Sequence, residues 1–286
     1  MIFSHSVQGA EHFFAGLAGQ PAVLVRVVST QGSVPRETGA WMGVFADAVV
    51  GTIGGGHLEF DAMARARALL AAPGEPSVPQ NAVPLRLRFA LGPSLGQCCG
   101  GVVHLAFERV SASDLPALAL TLASPLTPVA LFGGGHVGHA LARVLAPLPF
   151  RLRWIDSRDG VFPPDLPARV VCEHSEPVQS AVPGLAPQSR VLIMSFSHAE
   201  DLEIVASCLL RQREKADLPF VGLIGSKTKW AAFRRRLDAR GFSPDELAHI
   251  TCPIGVPGIT GKEPDVIAVA VAAQLLQTLD GPTGRA

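Results

Sequence analysis

The sequence predicts an α/β protein: an N-terminal mixed α+β domain followed by a Rossmann-like domain with a mostly parallel, doubly wound sheet. Two observations carry this. From residue 128 onward, short apolar strands alternate with helical segments, the pattern of a parallel sheet covered on both faces. The first of these units places Gly133-Gly134-Gly135-His136-Val137-Gly138 between a strand and a helix. Asp156 then ends the next strand, at the spacing of roughly 20 residues that a dinucleotide fingerprint requires. Before residue 112 the strands read instead as a meander, with Leu85-Arg86-Leu87-Arg88-Phe89 alternating cleanly.

In chain order, residues 5–18 read as a helix, with Val7, Phe13, Phe14 and Leu17 at loosely helical spacing. Residues 22–28 form a β-branched, almost continuously apolar strand. A turn-rich loop, 31–39, leads to two short strands at 40–45 and 49–53. Gly54-Gly55-Gly56 opens a helix over 57–71, and 73–84 is a proline-rich connection. Strands 85–90 and 102–110 pair across the loop that holds Gln97-Cys98-Cys99-Gly100-Gly101. The N-terminal domain thus spans 1–112, a linker with room for one helix spans 113–127, and the Rossmann-like domain spans 128–286. In the latter, strands fall at 129–132, 151–155, 170–172, 191–195 and 220–224, and helices at 137–145, 200–213, 228–240 and 265–279.

Composition removes several classes. Lys plus Arg and Asp plus Glu number 24 each, so there is no basic excess to neutralise nucleic-acid phosphates. Arg234-Arg235-Arg236 reads as a solvated helix face. No window approaches the roughly 18 apolar residues of a membrane span, and Met1-Ile2-Phe3-Ser4-His5 is not a signal-peptide start, so a cytoplasmic protein is expected. Five cysteines at irregular spacing are not a disulfide framework. The 48% hydrophobic content makes a homodimer a reasonable expectation.

Five motifs carry chemistry. Gly133, Gly135, His136 and Gly138 suit close approach of a phosphate to a helix N-terminus, and Asp156 suits a ligand hydroxyl. The plainer reading is a scaffold that needs those glycines for packing. Gly54, Gly55, Gly56 and His57 repeat the arrangement on a smaller scale, and Glu59 follows; a tight strand-to-helix connection explains them equally well. Cys98 and Cys99, framed by glycines, are soft thiolate candidates for a transition metal or for sulfur chemistry. They lack the spaced pairs of a zinc site. Cys172 and Cys208 sit in apolar runs and read as core. Arg36, in a rigid loop, suits an oxyanion or a surface carboxylate. Ser226 and Lys227 follow a strand end, as do His198 and Asp201, so all four fall at the carboxyl edge of the sheet.

Six segments together resemble the XdhC/CoxI family, the accessory proteins of xanthine dehydrogenase and related molybdenum hydroxylases. They are Gly32-Ser33-Val34-Pro35-Arg36; Gly51-Thr52-Ile53-Gly54-Gly55-Gly56-His57-Leu58-Glu59; Gln97-Cys98-Cys99-Gly100-Gly101; Leu131-Phe132 with the glycine loop 133–138; Gly222-Leu223-Ile224-Gly225-Ser226-Lys227; and Cys252-Pro253-Ile254-Gly255. The resemblance implies a chaperone rather than an enzyme. Such a protein binds the molybdenum cofactor (molybdopterin) and protects it while a cysteine desulfurase supplies the terminal sulfido ligand. It then inserts the cofactor into apo xanthine dehydrogenase or a related hydroxylase. Molybdenum cofactor biosynthesis proteins would be further partners. The expected cofactor-binding set is Arg36, Gly54, Gly55, Gly56, His57, Cys98, Cys99, Gly133, Gly135, His136, Gly138, Asp156, His198, Ser226 and Lys227, with Cys98 and Cys99 at the molybdenum. An NAD(P)-dependent oxidoreductase using the Rossmann-like domain is the alternative, and a redox-sensing regulatory module is a third reading.

Overall fold

The computed structural model describes residues 2–3, 7–72, 84–91, 100–122, 126–167 and 169–279, with side chains from residue 9 onward. The chain divides into two compact units, Met1–Ser124 and Pro125–Ala286.

The first unit is a six-stranded mixed sheet. Its strands are β1 (Ile2–Phe3), β2 (Ala22–Gln31), β3 (Trp41–Val44), β4 (Val49–Gly51), β5 (Leu85–Ala90) and β6 (Val102–Val110). They lie in the order β1-β4-β3-β2-β6-β5. Only β1 and β4 pair in parallel; the other neighbours are antiparallel. The apolar run of β2, interrupted only at Arg26 between Ala22 and Val28, has a direct cause. Val23, Val25 and Val27 pack on one face against Leu58, Ala62 and Ala66 of α2 (Gly56–Ala71). Ala22 and Leu24 pack on the other against Phe13 and Leu17 of α1 (Val7–Leu17). Side chains alternate across a strand, so a strand covered on both faces is apolar along most of its length; Arg26, the exception in the covered part of β2, pairs with Glu108 of β6.

The stretch read as a linker contains α3 (Leu115–Leu122). Leu118 and Leu122 are buried in the same cluster as Phe13 and Leu17, so this helix is part of the first unit's core. Its brevity and its all-apolar Leu115-Pro116-Ala117-Leu118 opening leave no amphipathic signature in the sequence.

The second unit is a six-stranded sheet, parallel throughout. Its strands are β7 (Thr127–Phe132), β8 (Phe150–Asp156), β9 (Val170–His174), β10 (Arg190–Ile193), β11 (Phe220–Leu223) and β12 (Ile250–Thr251), in the order β12-β11-β10-β7-β8-β9. Val129 and Leu131 of β7 pack against α4 (His136–Leu145) and α8 (Pro264–Gln277). Ala130 and Phe132 pack against α5 (His198–Lys215) and α6 (Lys227–Asp238). The chain leaves β7 toward β8 and β9, then returns to build β10 on β7's other side. This is the topological switch point of a doubly wound sheet, and ligands of such sheets bind outside the carboxyl ends of the strands there.

Five elements have no counterpart in the sequence reading: β1, β12, the five-residue helix α7 (Pro244–Ala248) and two 3-10 segments, Ala112–Asp114 and Val178–Gly184. Two-residue strands have no period to detect. Helix α7 does carry a legible signal, a capping box between Ser243 and Glu246 with Pro244 at its start. None of the described helices is long and apolar enough to cross a membrane.

The burial pattern of α3 leads to a paired expectation. Leu118→Ala should destabilise the protein by about 2–4 kcal/mol in urea unfolding. Leu120→Ala, at a position 87% exposed, should stay within about 0.5 kcal/mol of the parent.

Candidate functional site

Three of the motif segments of the first unit meet at one end of its sheet. Antiparallel pairing puts the carboxyl ends of β2 and β4 beside the amino ends of β3 and β6, with Gln31 opposite Val102 and Gly51 opposite Met42. The loop after β2, the glycine loop between β4 and α2, and Gly100-Gly101 before β6 therefore share that end. Their contacts are close. A Cβ on Gly101 would stand 2.6 Å from the Gln31 carbonyl oxygen, and nearer still to that of Ser33. A Cβ on Gly54, at φ +126°, would stand 2.5 Å from Pro35 Cγ and 3.4 Å from Arg36 Cγ. Glycine is thus required where these backbones touch.

A buried carboxylate holds the β4–α2 loop. Glu59, 6% exposed, reaches back over the first turn of α2. Its Oε2 accepts from Ile53 N at 3.1 Å, Gly55 N at 3.0 Å and Thr52 Oγ1 at 2.5 Å. Glu59 is therefore committed to the loop's own donors and does not face a ligand. His57 is exposed on the same turn, its ring 6.2 Å from that of Phe60. Nothing stands within 4 Å of a Cβ position on Gly55, the residue that caps α2, so the approach to the helix N-terminus is open there. Arg36 is half-buried, and its Nε is fully buried without a hydrogen-bond partner among the described residues. This edge accordingly offers one under-satisfied cation and one uncapped helix start, both suited to an anion. Cys98 and Cys99 lie outside the described residues.

At the switch point of the second unit, the glycine loop is also held by a buried carboxylate. Asp156, 2% exposed, accepts from Gly134 N at 2.5 Å and from Arg158 N at 2.8 Å. The Arg158 guanidinium adds two parallel bonds, Nε to Oδ1 and Nη2 to Oδ2, each 2.9 Å. Burial alone would raise the Asp156 pKa; the Arg158 and Gly134 hydrogen bonds and the Arg158 charge outweigh it, and the carboxyl sits below its usual range. The carboxylate that the sequence offered to a ligand hydroxyl is thus engaged by the chain itself. Gly133 and Gly138 are packing residues: a Cβ on Gly138 would collide with the Gly133 carbonyl, and one on Gly133 with the Met194 carbonyl. Trp154, fully buried, donates its indole N–H to Gly133 O at 2.9 Å. Gly135 and His136 are exposed at the start of α4.

A second polar group lies along the same carboxyl edge. Asp201 accepts from Ser195 N and Ser195 Oγ at 2.8 and 2.7 Å, and its other oxygen pairs with Lys229 Nζ at 2.5 Å. Lys229 also donates to Ile224 O at 2.9 Å. These residues tie the loops after β10 and β11 to the first turns of α5 and α6. Ser226 caps α6 by accepting from Lys229 N, whereas Lys227 points into solvent. His198 is exposed, with its ring edge-on to Phe233 at 6.3 Å. Two residues along, or about 200° round the helix, it is Lys229 rather than Lys227 that builds this edge.

Burial pushes the Cys252 thiol up to about 11 and the Cys208 thiol up to about 12, and it raises Cys172 as well. None of these three is a ready thiolate near neutral pH. Among the described residues, no group of three or more His, Cys, Asp or Glu side chains is arranged to hold a metal ion.

The Glu59 geometry leads to an expected outcome. Glu59→Ala removes the acceptor that the three donors share, so it should cost about 1–3 kcal/mol in unfolding free energy. The amides of Ile53 and Gly55 should exchange hydrogen markedly faster by mass spectrometry or NMR.

Comparison with known proteins assigns the chain. The family model of the XdhC Rossmann domain matches residues 129–275, about half of the chain. The model of the XdhC and CoxI family matches residues 17–78. A protein from Bacillus halodurans, described as a xanthine dehydrogenase, has a crystal structure that superposes with a TM-score of 0.75 at 21% identity, covering 97% of this chain and 96% of that one. That likeness shows a shared fold across both units. Uncharacterized protein YqeB of Escherichia coli strain K12 is 25% identical over 270 residues, which are 92% of this chain and 44% of the relative. The chain thus spans less than half the length of that relative. With matches in both units, the chain belongs to the XdhC and CoxI family and carries its Rossmann domain at residues 129–275.

Proposed function

We propose that this protein binds the molybdenum cofactor as cargo, holds it while a cysteine desulfurase supplies the terminal sulfido ligand, and delivers it to apo xanthine dehydrogenase or a related molybdenum hydroxylase. The observation that carries the reading is the meeting of three family motifs at one end of the first unit's sheet, where Arg36 Nε lacks a partner among the described residues. The cargo is a pterin with a terminal phosphate, a dithiolene and an oxo-molybdenum centre. A phosphate suits Arg36 together with the N–H groups of Gly56 and His57 at the start of α2, those of Gly54 and Gly55 being taken by Thr52 and Glu59. A soft metal centre suits Cys98 and Cys99, which directly precede Gly100 in the sequence.

The role assigned is that of a maturation chaperone with no turnover of its own. The chain binds, orients and shields; the sulfur comes from the desulfurase, and the hydroxylase takes the finished cofactor. Proteins of molybdenum cofactor biosynthesis would supply the unsulfurated form, and a second copy of the chain completes a homodimer. A cytoplasmic setting fits these partners. Gly135, His136, His198, Ser226 and Lys227, exposed along the carboxyl edge, are what the Rossmann domain would contribute to binding or docking, with Gly133 and Gly138 packed beneath them. The nicotinamide-dependent alternative is not adopted, because the acid it needs for a ribose, Asp156, is paired with Arg158.

The test is retention of molybdenum and pterin after incubation with a cofactor donor and gel filtration. Wild type should hold close to one equivalent. The Cys98→Ala/Cys99→Ala double variant should lose the metal. Arg36→Ala should weaken retention at least about tenfold, the loss expected for one charge-assisted contact. Absence of molybdenum and pterin from wild type would overturn the proposal. Unchanged retention in all variants would overturn the residue assignment.

A further inference from the structure

The Asp156–Arg158 pair has a geometry that resembles a ligand complex. In a dinucleotide-binding fold, the acid that ends the second strand of the unit accepts the ribose hydroxyls. Here both oxygens of Asp156 accept from Arg158, Oδ1 from Nε and Oδ2 from Nη2, two parallel donors at 2.9 Å each. A planar fork of two N–H groups presents the same pair of donors as a vicinal diol. The guanidinium is fixed in place from behind: its carbon lies 4.6 Å from the centroid of the Phe196 ring, which is 67% exposed. Glu200 adds a favourable charge nearby, and it is itself anchored by Ser157 Oγ at 2.6 Å. The loop between β8 and β9 also covers Gly134, where a Cβ would stand 2.6 Å from Val161 Cγ2.

We propose that Arg158 is a built-in occupant of the ribose subsite and the specificity-determining residue of this Rossmann crevice, excluding ligands that bring a free ribose diol to Asp156. The scaffold of a dinucleotide site is retained, with its glycine loop, helix start and acid, and a single side chain closes it to adenine dinucleotides. A ligand entering the crevice meets the remaining N–H edge of a guanidinium and an aromatic face, not a carboxylate. The inference concerns the second unit alone and stands independently of cofactor binding.

The experiment uses the full chain and two diol-bearing probes: NADH followed by fluorescence and ADP-ribose followed by calorimetry. Wild type should show no saturable binding at millimolar probe. Arg158→Ala should bind both probes at least about tenfold more tightly than wild type, the change expected when a charged acceptor regains a hydrogen-bonding partner. Asp156→Asn combined with Arg158→Ala should abolish that gain, which separates an opened acid from a loosened loop. Arg158→Lys and Arg158→Gln also lose the fork, and they carry the test should the alanine variant fail to fold. Wild type binding either probe as tightly as Arg158→Ala would overturn the proposal, as would the absence of a gain in every folded variant.

Discussion

Each buried carboxylate among the described residues accepts a backbone N–H from a loop at the end of a strand. Glu59 takes Ile53 N and Gly55 N after β4; Asp156 takes Gly134 N after β7; Asp201 takes Ser195 N after β10. Their burial is 6%, 2% and 2% exposed respectively, a situation that is costly for an acid unless every lone pair is used. Each acid also accepts from a side chain: Thr52, Arg158 and Lys229 respectively. The two glycine loops have little side-chain bulk of their own, and these charge-assisted bonds hold their shape.

The consequence for function is pre-organisation. A glycine-rich loop is conformationally permissive, so ordering it at the moment of binding would reduce affinity. Anchoring the β4–α2 loop to Glu59 meets that cost on folding. The start of α2 and the Arg36 loop are then set before any ligand arrives. In the second unit the same device has a different outcome. The anchor of the glycine loop is shared with Arg158, and the acid is no longer offered to a ligand. Two similar-looking strand–glycine–helix motifs therefore differ in what lies beside them: the first a cation whose Nε has no partner among the described residues, the second a paired one.

Much of this fold was legible in the sequence because burial leaves a mark on composition. Strands β2 and β7 are covered on both faces and read as nearly continuous apolar runs, broken in β2 at Arg26; β5 alternates because one of its faces is exposed. The site was legible at the level of motifs and not of roles. His57 stands out in the sequence, yet it faces solvent, while Glu59 turns inward from the same helical turn. Lys227 stands out after Gly225-Ser226, yet Lys229 is the lysine that meets Asp201. Which way a helix presents two neighbouring side chains depends on what packs beneath it, and that is decided by distant segments. Asp156 illustrates the same limit. Its spacing from the glycines is that of a ribose acceptor, and only the fold of the β8–β9 loop brings Arg158 back onto it. The local pattern Asp156-Ser157-Arg158 was the available hint.

The central claim is that three segments distant in sequence form one ligand-holding edge in the first unit. Hydrogen exchange of the full chain, with and without the molybdenum cofactor, tests it most directly. The account expects joint protection of the amides at 32–36, 54–57 and 100–101 on loading, while the far end of the same sheet is unchanged. Protection confined to the glycine loop at 133–138, or no protection at any of the three segments in a cofactor-loaded sample, would contradict it.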